Sequence, residues 1–259
     1  MNTLLRNNAS HMLNKVPEIT LFFWIIKIMA TTVGETAADF LNVNMHLGLT
    51  GTSVAVGLAL LGFLVVQLRT QKYVPSVYWM VVVLLSVFGT LVTDNLVDNL
   101  GVSLEMCTAV FSAGLAATFV GWYASEKTLS IHSIHTTRRE LFYWAAIFFT
   151  FALGTAAGDL AAEGLQLGYG VSVLIFAGMI AATTFAHYVL KFNAIAAFWI
   201  AYILTRPLGA STGDLLAQPV TNGGLGLGNV ITSGLFLVTI LTLVSYMTVF
   251  QRKSQIKLK

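Results

Sequence analysis

The feature that most limits how this chain can fold is a series of eight apolar runs, each about 20 residues long, within 259 residues. A bilayer core about 30 Å thick takes about 20 residues of α-helix to cross. Unpaired backbone groups are not tolerated in hydrocarbon, so such runs become helices with their bonds closed internally. The runs predict helices near 18–41, 48–68, 75–97, 103–124, 140–163, 168–190, 193–216 and 228–250. The fold class expected is therefore all-α integral membrane. Charged residues make up only 10% of the chain, against roughly a quarter in soluble domains. The single cysteine, Cys107, excludes an internal disulfide or a cysteine-based metal cage.

Between the runs the connections are short, and their charges are one-sided. Outside the runs the basic residues are Arg6, Lys15, Arg69, Lys72, Lys127, Arg138, Arg139, Lys191, Arg252, Lys253, Lys257 and Lys259. All fall on the tails or on the connections from even to odd helices. The connections from odd to even helices carry no Lys or Arg. Positive loops stay in the cytoplasm, so both termini are expected there. Residues 1–15 lack an apolar core or cleavage site and are expected to be a cytoplasmic tail. The expected organisation is helices 1–4 over 16–124, a cytoplasmic connection over 125–139, helices 5–8 over 140–250, and a basic cytoplasmic tail over 251–259.

An internal repeat carries the most information. The odd helices align on Gly34, Gly89, Gly154 and Gly209. Ten residues before each stands Trp24, Trp79, Trp144 or Trp199, and five residues after each stands Asp39, Asp94, Asp159 or Asp214. A Leu-Gly pair precedes each even helix: Leu47-Gly48, Leu100-Gly101, Leu167-Gly168 and Leu227-Gly228. Four tandem repeats, each with two spans and a characteristic tryptophan, resemble a family of multi-pass bacterial membrane proteins catalogued as a repeat of unknown function. The resemblance covers nearly the whole chain. It implies a bacterial inner (cytoplasmic) membrane location and brings no substrate with it.

Successive repeats differ by two spans, so all four odd helices run in one direction. The repeats are then parallel, related by an axis along the membrane normal. A pseudo-four-fold arrangement, or a two-fold pair of two-repeat halves, is expected, with the odd helices near the axis. The four aspartates lie at one depth, and the tryptophans lie about 15 Å from the glycines at 1.5 Å per residue. The tryptophans are read as packing between repeats. The glycines are read as points of close helix approach, with Gly154/Gly158 and Gly209/Gly213 as GxxxG pairs.

One turn before each aspartate stand Glu35, Thr90, Thr155 and Ala210, and Thr31 extends the stripe on helix 1. Ser211 and Thr212 add hydroxyls on helix 7. Carboxylates and hydroxyls suit hard cations or protons rather than soft metals, and intramembrane acids are functional candidates. Glu35, Asp39, Asp94, Asp159 and Asp214 are thus the expected ion-binding set, with Glu35, Asp39 and Asp159 as metal ligands. Thr31, Thr90, Thr155 and Ser211 would support them. The competing reading makes the aspartates interfacial caps for the following loop.

Two cations break the pattern. Lys27 aligns with Val82 and Ile147, and Arg206, beside Pro207, aligns with Ser86 and Phe151. Lys27 could snorkel to the cytoplasmic face. Arg206 is too deep for that and is expected to pair with Glu35 or an aspartate of another repeat. His187, His132 and His135 lack ligand-spaced partners, and His46 lies in a loop near the acidic end. No nucleotide, HExxH, haem or quinone signature is present, and nothing points to nucleic acid. The leading function is transport of a small cation, divalent or proton-coupled, with no resident cofactor. Lipid is the expected surround, and a homo-oligomer is compatible with it. An intramembrane enzyme acting on a lipid or quinone, and a non-transporting scaffold, are the alternatives.

Overall fold

A computed structural model describes residues 14–45 and 47–256; His46 lies outside them. Among these residues there are eight helices long and apolar enough to cross a membrane and no strand. They are α1 (Leu21–Asp39), α2 (Gly48–Arg69), α3 (Pro75–Asp94), α4 (Leu104–Glu126), α5 (Thr137–Asp159), α6 (Tyr169–Tyr188), α7 (Ala194–Ala217) and α8 (Gly228–Ile256). The odd helices start on recognisable caps. Thr20 and Thr136 accept from backbone N–H groups three residues on, Asn193 accepts from Ile195 and Ala196, and Pro75 opens α3.

At their other ends, α1, α3 and α5 run straight from the repeat aspartate into a π-helical turn. These turns are Phe40–Asn44, Asn95–Asn99 and Leu160–Gly164. Each is marked by an i→i+5 bond, as from Leu165 N–H to Leu160 C=O. In the fourth repeat α7 stops at Ala217, and a 3-10 turn over Val220–Asn222 follows. The glycine of each Leu-Gly pair then takes a positive φ, from 67° at Gly101 to 77° at Gly168 and Gly228. A Cβ is disfavoured there.

The odd helices form an inner ring. In each of them 61% of the apolar window is buried, against 17–22% in the even helices, which form an outer layer. Around the ring α1 packs on α3, α3 on α5, α5 on α7, and α7 on α1. Two sets of contacts close this circuit. Near the basic end, the aromatic residue preceding each tryptophan meets the tryptophan of the next repeat. Centroid separations are 5.7 Å for Phe23–Trp79, 5.5 Å for Tyr78–Trp144, 6.3 Å for Tyr143–Trp199 and 5.7 Å for Phe198–Trp24. Ten residues further on, each repeat glycine receives the residue three positions before the next repeat's glycine. Ser86 sits over Gly34, Phe151 over Gly89, Arg206 over Gly154, and Thr31 over Gly209.

Any side chain at those glycines would meet a packed helix. Gly154→Ala would place a methyl group into the Arg206 side chain. Such overpacking costs about 1–3 kcal/mol, so a lowered thermal midpoint is expected. A methyl group at Gly62 on α2 would have no neighbour within 4 Å. Gly62→Ala should be neutral or stabilising, because alanine is the better helix former by about 1 kcal/mol.

The outer helices are offset by one place. Joined helices α1/α2, α3/α4 and α5/α6 touch little, whereas α2 packs along α3, α4 along α5, α6 along α7, and α8 along α1. Helices α2, α4 and α6 therefore pack on the odd helix that follows them in the chain and not on the one that precedes them.

Candidate functional site

The ends of the bundle differ in charge. At the basic end, residues just before α1 reach the ends of other helices there. Lys15 donates from its ammonium to Glu140 and to the Leu68 carbonyl, and its backbone N–H donates to the Ile134 carbonyl. Gln67 Nε2 donates to the other Glu140 oxygen at 2.9 Å. Glu140 is fully buried.

At the acidic end a polar cavity of about 160 Å³ opens between the odd helices. Its walls carry Glu35 and all four repeat aspartates, Asp39, Asp94, Asp159 and Asp214. Asn42, Asp98, Glu163 and Gln218 also line it. The last three stand four residues beyond Asp94, Asp159 and Asp214, one helical turn nearer the loops. Sequence reasoning missed that turn, although the repeat offset carries the signal for it. Four of the five expected ion-binding residues are thus one ring of aspartates, with Glu35 a turn deeper on α1. Among the described residues no three acids or histidines converge closely enough to hold a metal ion. Glu35, Asp39 and Asp159 share the cavity without converging on one point, Glu35 and Asp39 a turn apart on α1 and Asp159 on α5.

Behind Glu35 stands Arg206, which is wholly buried. Its Nη2 donates to Glu35 Oε2 at 2.9 Å, to Thr155 Oγ1 at 2.7 Å, and to Thr90 Oγ1. Its Nη1 donates to the Thr31 carbonyl at 2.8 Å. One guanidinium from repeat four thereby ties residues of repeats one, two and three. Thr90 and Thr155, expected beside the aspartates, face the arginine instead. The Thr31 hydroxyl donates to Ile28 and Thr205 carbonyls and leaves its own carbonyl for Arg206. Ser211 is buried with no hydrogen-bond partner for its hydroxyl and lines no part of the cavity. The glycines set this geometry: Gly154 and Gly158 receive Arg206 and Pro207, and Gly209 and Gly213 receive α1 around Thr31–Thr36.

Lys27 lies beyond Arg206, toward the basic end. It does not snorkel: it is fully buried, its ammonium 4.1 Å and 4.4 Å from the ring centres of Tyr202 and Phe151. It donates to Thr205 Oγ1 at 3.3 Å. Among the described residues no carboxylate is within ion-pairing reach of it. Further along, the Tyr78 and Tyr143 hydroxyls are hydrogen-bonded to each other. Trp79, Trp144 and Trp199 are buried in the same aromatic layer, Trp79 donating to the Tyr73 hydroxyl and Trp199 to the Leu129 carbonyl. Trp24 is half-buried. His187 is placed outside the cavity, its Nδ1 3.0 Å from the Phe192 carbonyl.

Four segments of the chain, 22–73, 77–128, 142–192 and 197–253, match the family described as Repeat of Unknown Function (DUF347). The chain belongs to this family. No curated protein and no solved structure matches it. Membership in this four-repeat family fixes the tandem organisation and leaves the chemistry to the site itself.

Proposed function

We propose that this member of the repeat family is a multi-pass transporter of a small cation in a bacterial cytoplasmic membrane. The observation that carries the proposal is the acidic cavity lined by a glutamate, Glu35, that is paired to a buried arginine. Seven carboxylates on the cavity wall concentrate cations by their summed field, and the low-dielectric surround strengthens the attraction. A cation passing Asp98 and Glu163 meets the aspartate ring and then competes with Arg206 for Glu35. The aromatic layer and Lys27 close the path beyond, so the conformation is open at the acidic end only.

We read the repeat unit as a helix pair, which is supported by segment 22–73 lying over α1 and α2 and the other segments over the later pairs. Its four copies are read as surrounding a pseudo-four-fold axis, a reading that the two closed circuits of aromatic and glycine contacts support. The one-sided basic residues put the basic end in the cytoplasm, so the cavity faces outward. A reporter fused after Lys259 should be active only as a cytoplasmic reporter, and one inserted near Thr221 only as an outside reporter. The opposite pattern would reverse the direction of the cavity.

Uptake into reconstituted vesicles tests the function, with H⁺, Mn²⁺, Mg²⁺ and Ca²⁺ offered in turn. Asp94→Asn/Asp159→Asn keeps side-chain size and removes two ring charges. At least a tenfold fall in uptake is expected for a folded variant, about 1.4 kcal/mol or more in barrier. Unchanged uptake would remove the aspartate ring from the path. Absence of flux for every cation in the wild type would end the transport reading.

A further inference from the structure

The oxygens around Arg206 are not arranged as a guanidinium would need them. Nη2 has two hydrogens to give, yet three oxygens surround it: Glu35 Oε2, Thr90 Oγ1 and Thr155 Oγ1. Nε, on the same side chain, has no acceptor. A bidentate carboxylate or a pair of acceptors along one edge would serve the fork of an arginine better. Here the acceptors gather about a point.

The hydroxyls are oriented to match. Thr90 can donate its hydrogen to the Ser86 carbonyl or to Glu35 Oε2, each at 3.3 Å, and Thr155 can donate to the Phe151 carbonyl four residues back on its own helix. The lone pairs are then left facing Nη2. The Thr31 carbonyl, bonded to Nη1, completes a set of one carboxylate, two hydroxyls and one backbone carbonyl. Those are hard oxygen donors with a single negative charge, which one monovalent cation balances. Divalent ions are held by more carboxylate, as in calcium loops, or keep much of their water, as magnesium does.

We propose that this cage is a binding site for a monovalent alkali cation, in which the Arg206 guanidinium stands where the ion would sit. Ion and guanidinium exclude each other, so a bound ion frees Arg206 from Glu35. Its role as the coupling ion rests on the transport reading above; the existence of the site does not. A ligand that binds only the arginine-released state shifts the population toward it by its differential affinity.

Arg206→Met removes the guanidinium while keeping an unbranched chain beside Gly154. Thermal unfolding of the purified full chain would be followed in NaCl, KCl and N-methylglucamine chloride at equal ionic strength. A saturable rise in Tm with Na⁺ or K⁺ is expected in Arg206→Met. Half-saturation should lie at least about tenfold higher in Arg206→Met/Glu35→Gln, equivalent to about 1.4 kcal/mol. Wild type should also need more ion, because its own arginine competes. Equal unfolding in all three salts, or an alkali effect undiminished by Glu35→Gln, would overturn the proposal. If Arg206→Met does not fold, retention of radioactive Na⁺ or Rb⁺ by wild type decides. Retention lost in Thr155→Val supports the site, and retention absent or unchanged by Thr155→Val overturns it. Alkali binding without uptake by wild-type vesicles would retire the transport reading and leave the cage standing; uptake without alkali binding would do the reverse.

Discussion

Replacing Glu35 by alanine is expected to cost about 3–5 kcal/mol of stability, the typical loss when one partner of a buried ion pair is removed. Arg206 is wholly buried, so losing Glu35 leaves a buried guanidinium without the carboxylate that pairs with it. The hydroxyls of Thr90 and Thr155 remain, but neutral oxygens do not balance a guanidinium. A second change separates charge from packing. Glu35→Ala/Arg206→Met removes both charges and should recover most of the loss, because replacing a whole buried pair with apolar groups is often neutral. Thermal unfolding of the two single variants and the double variant gives the coupling directly. A double variant no more stable than Glu35→Ala would show that the pair is not the source of the effect.

The second large effect is expected at the opposite end. Glu140 holds the Lys15 ammonium and Gln67, and its removal leaves a largely buried lysine without its carboxylate. Glu140→Ala should therefore also cost about 3–5 kcal/mol. The same change should loosen the segment just before α1. A membrane-impermeant thiol reagent applied from the basic side should then label Val82→Cys, on the buried core of α3, faster in Glu140→Ala than in its absence. Lys15→Met added to Glu140→Ala should restore much of the stability. Equal labelling rates with and without Glu140 would show that this contact does not guard the basic end.

The parts of this structure repeated four times were legible in the sequence. Tryptophan, glycine and aspartate stand at fixed offsets, so one copy explains the others and the aspartates fall together in one cavity. The exceptions to the repeat were legible for the opposite reason. A lone arginine and a lone glutamate in apolar helices each need a partner, and they are joined at 2.9 Å. Asp98 and Glu163 were within reach of the same reasoning, one turn past the aspartates. The aromatic residues before the tryptophans, Phe23, Tyr78, Tyr143 and Phe198, were too.

Other features were not legible, for physical reasons. Lys15 and Glu140 are 125 residues apart, and neither belongs to the repeated pattern. Depth along an axis follows from helix rise, but azimuth does not, so the expected Glu35–Asp39–Asp159 chelate was underdetermined. The partners of the even helices were hidden because those helices are apolar nearly all round. Periodicity then carries no information about which side faces the protein.

That offset in the outer layer has a consequence for biosynthesis. Helices emerge in order, and α2–α3, α4–α5 and α6–α7 can pair as soon as each hairpin is made. The outward side of α1 has no such early companion. It waits for α8, the last helix to appear, where Ser233 Oγ meets Thr36 Oγ1 at 2.6 Å. Until then Thr36 is uncovered on that side of α1, and this last pairing joins the helices farthest apart in the chain, the kind of step that loop-closure entropy makes slow. A chain stopped before Gly228 would retain every acid of the cavity and still lack the stave that binds the first helix to the last.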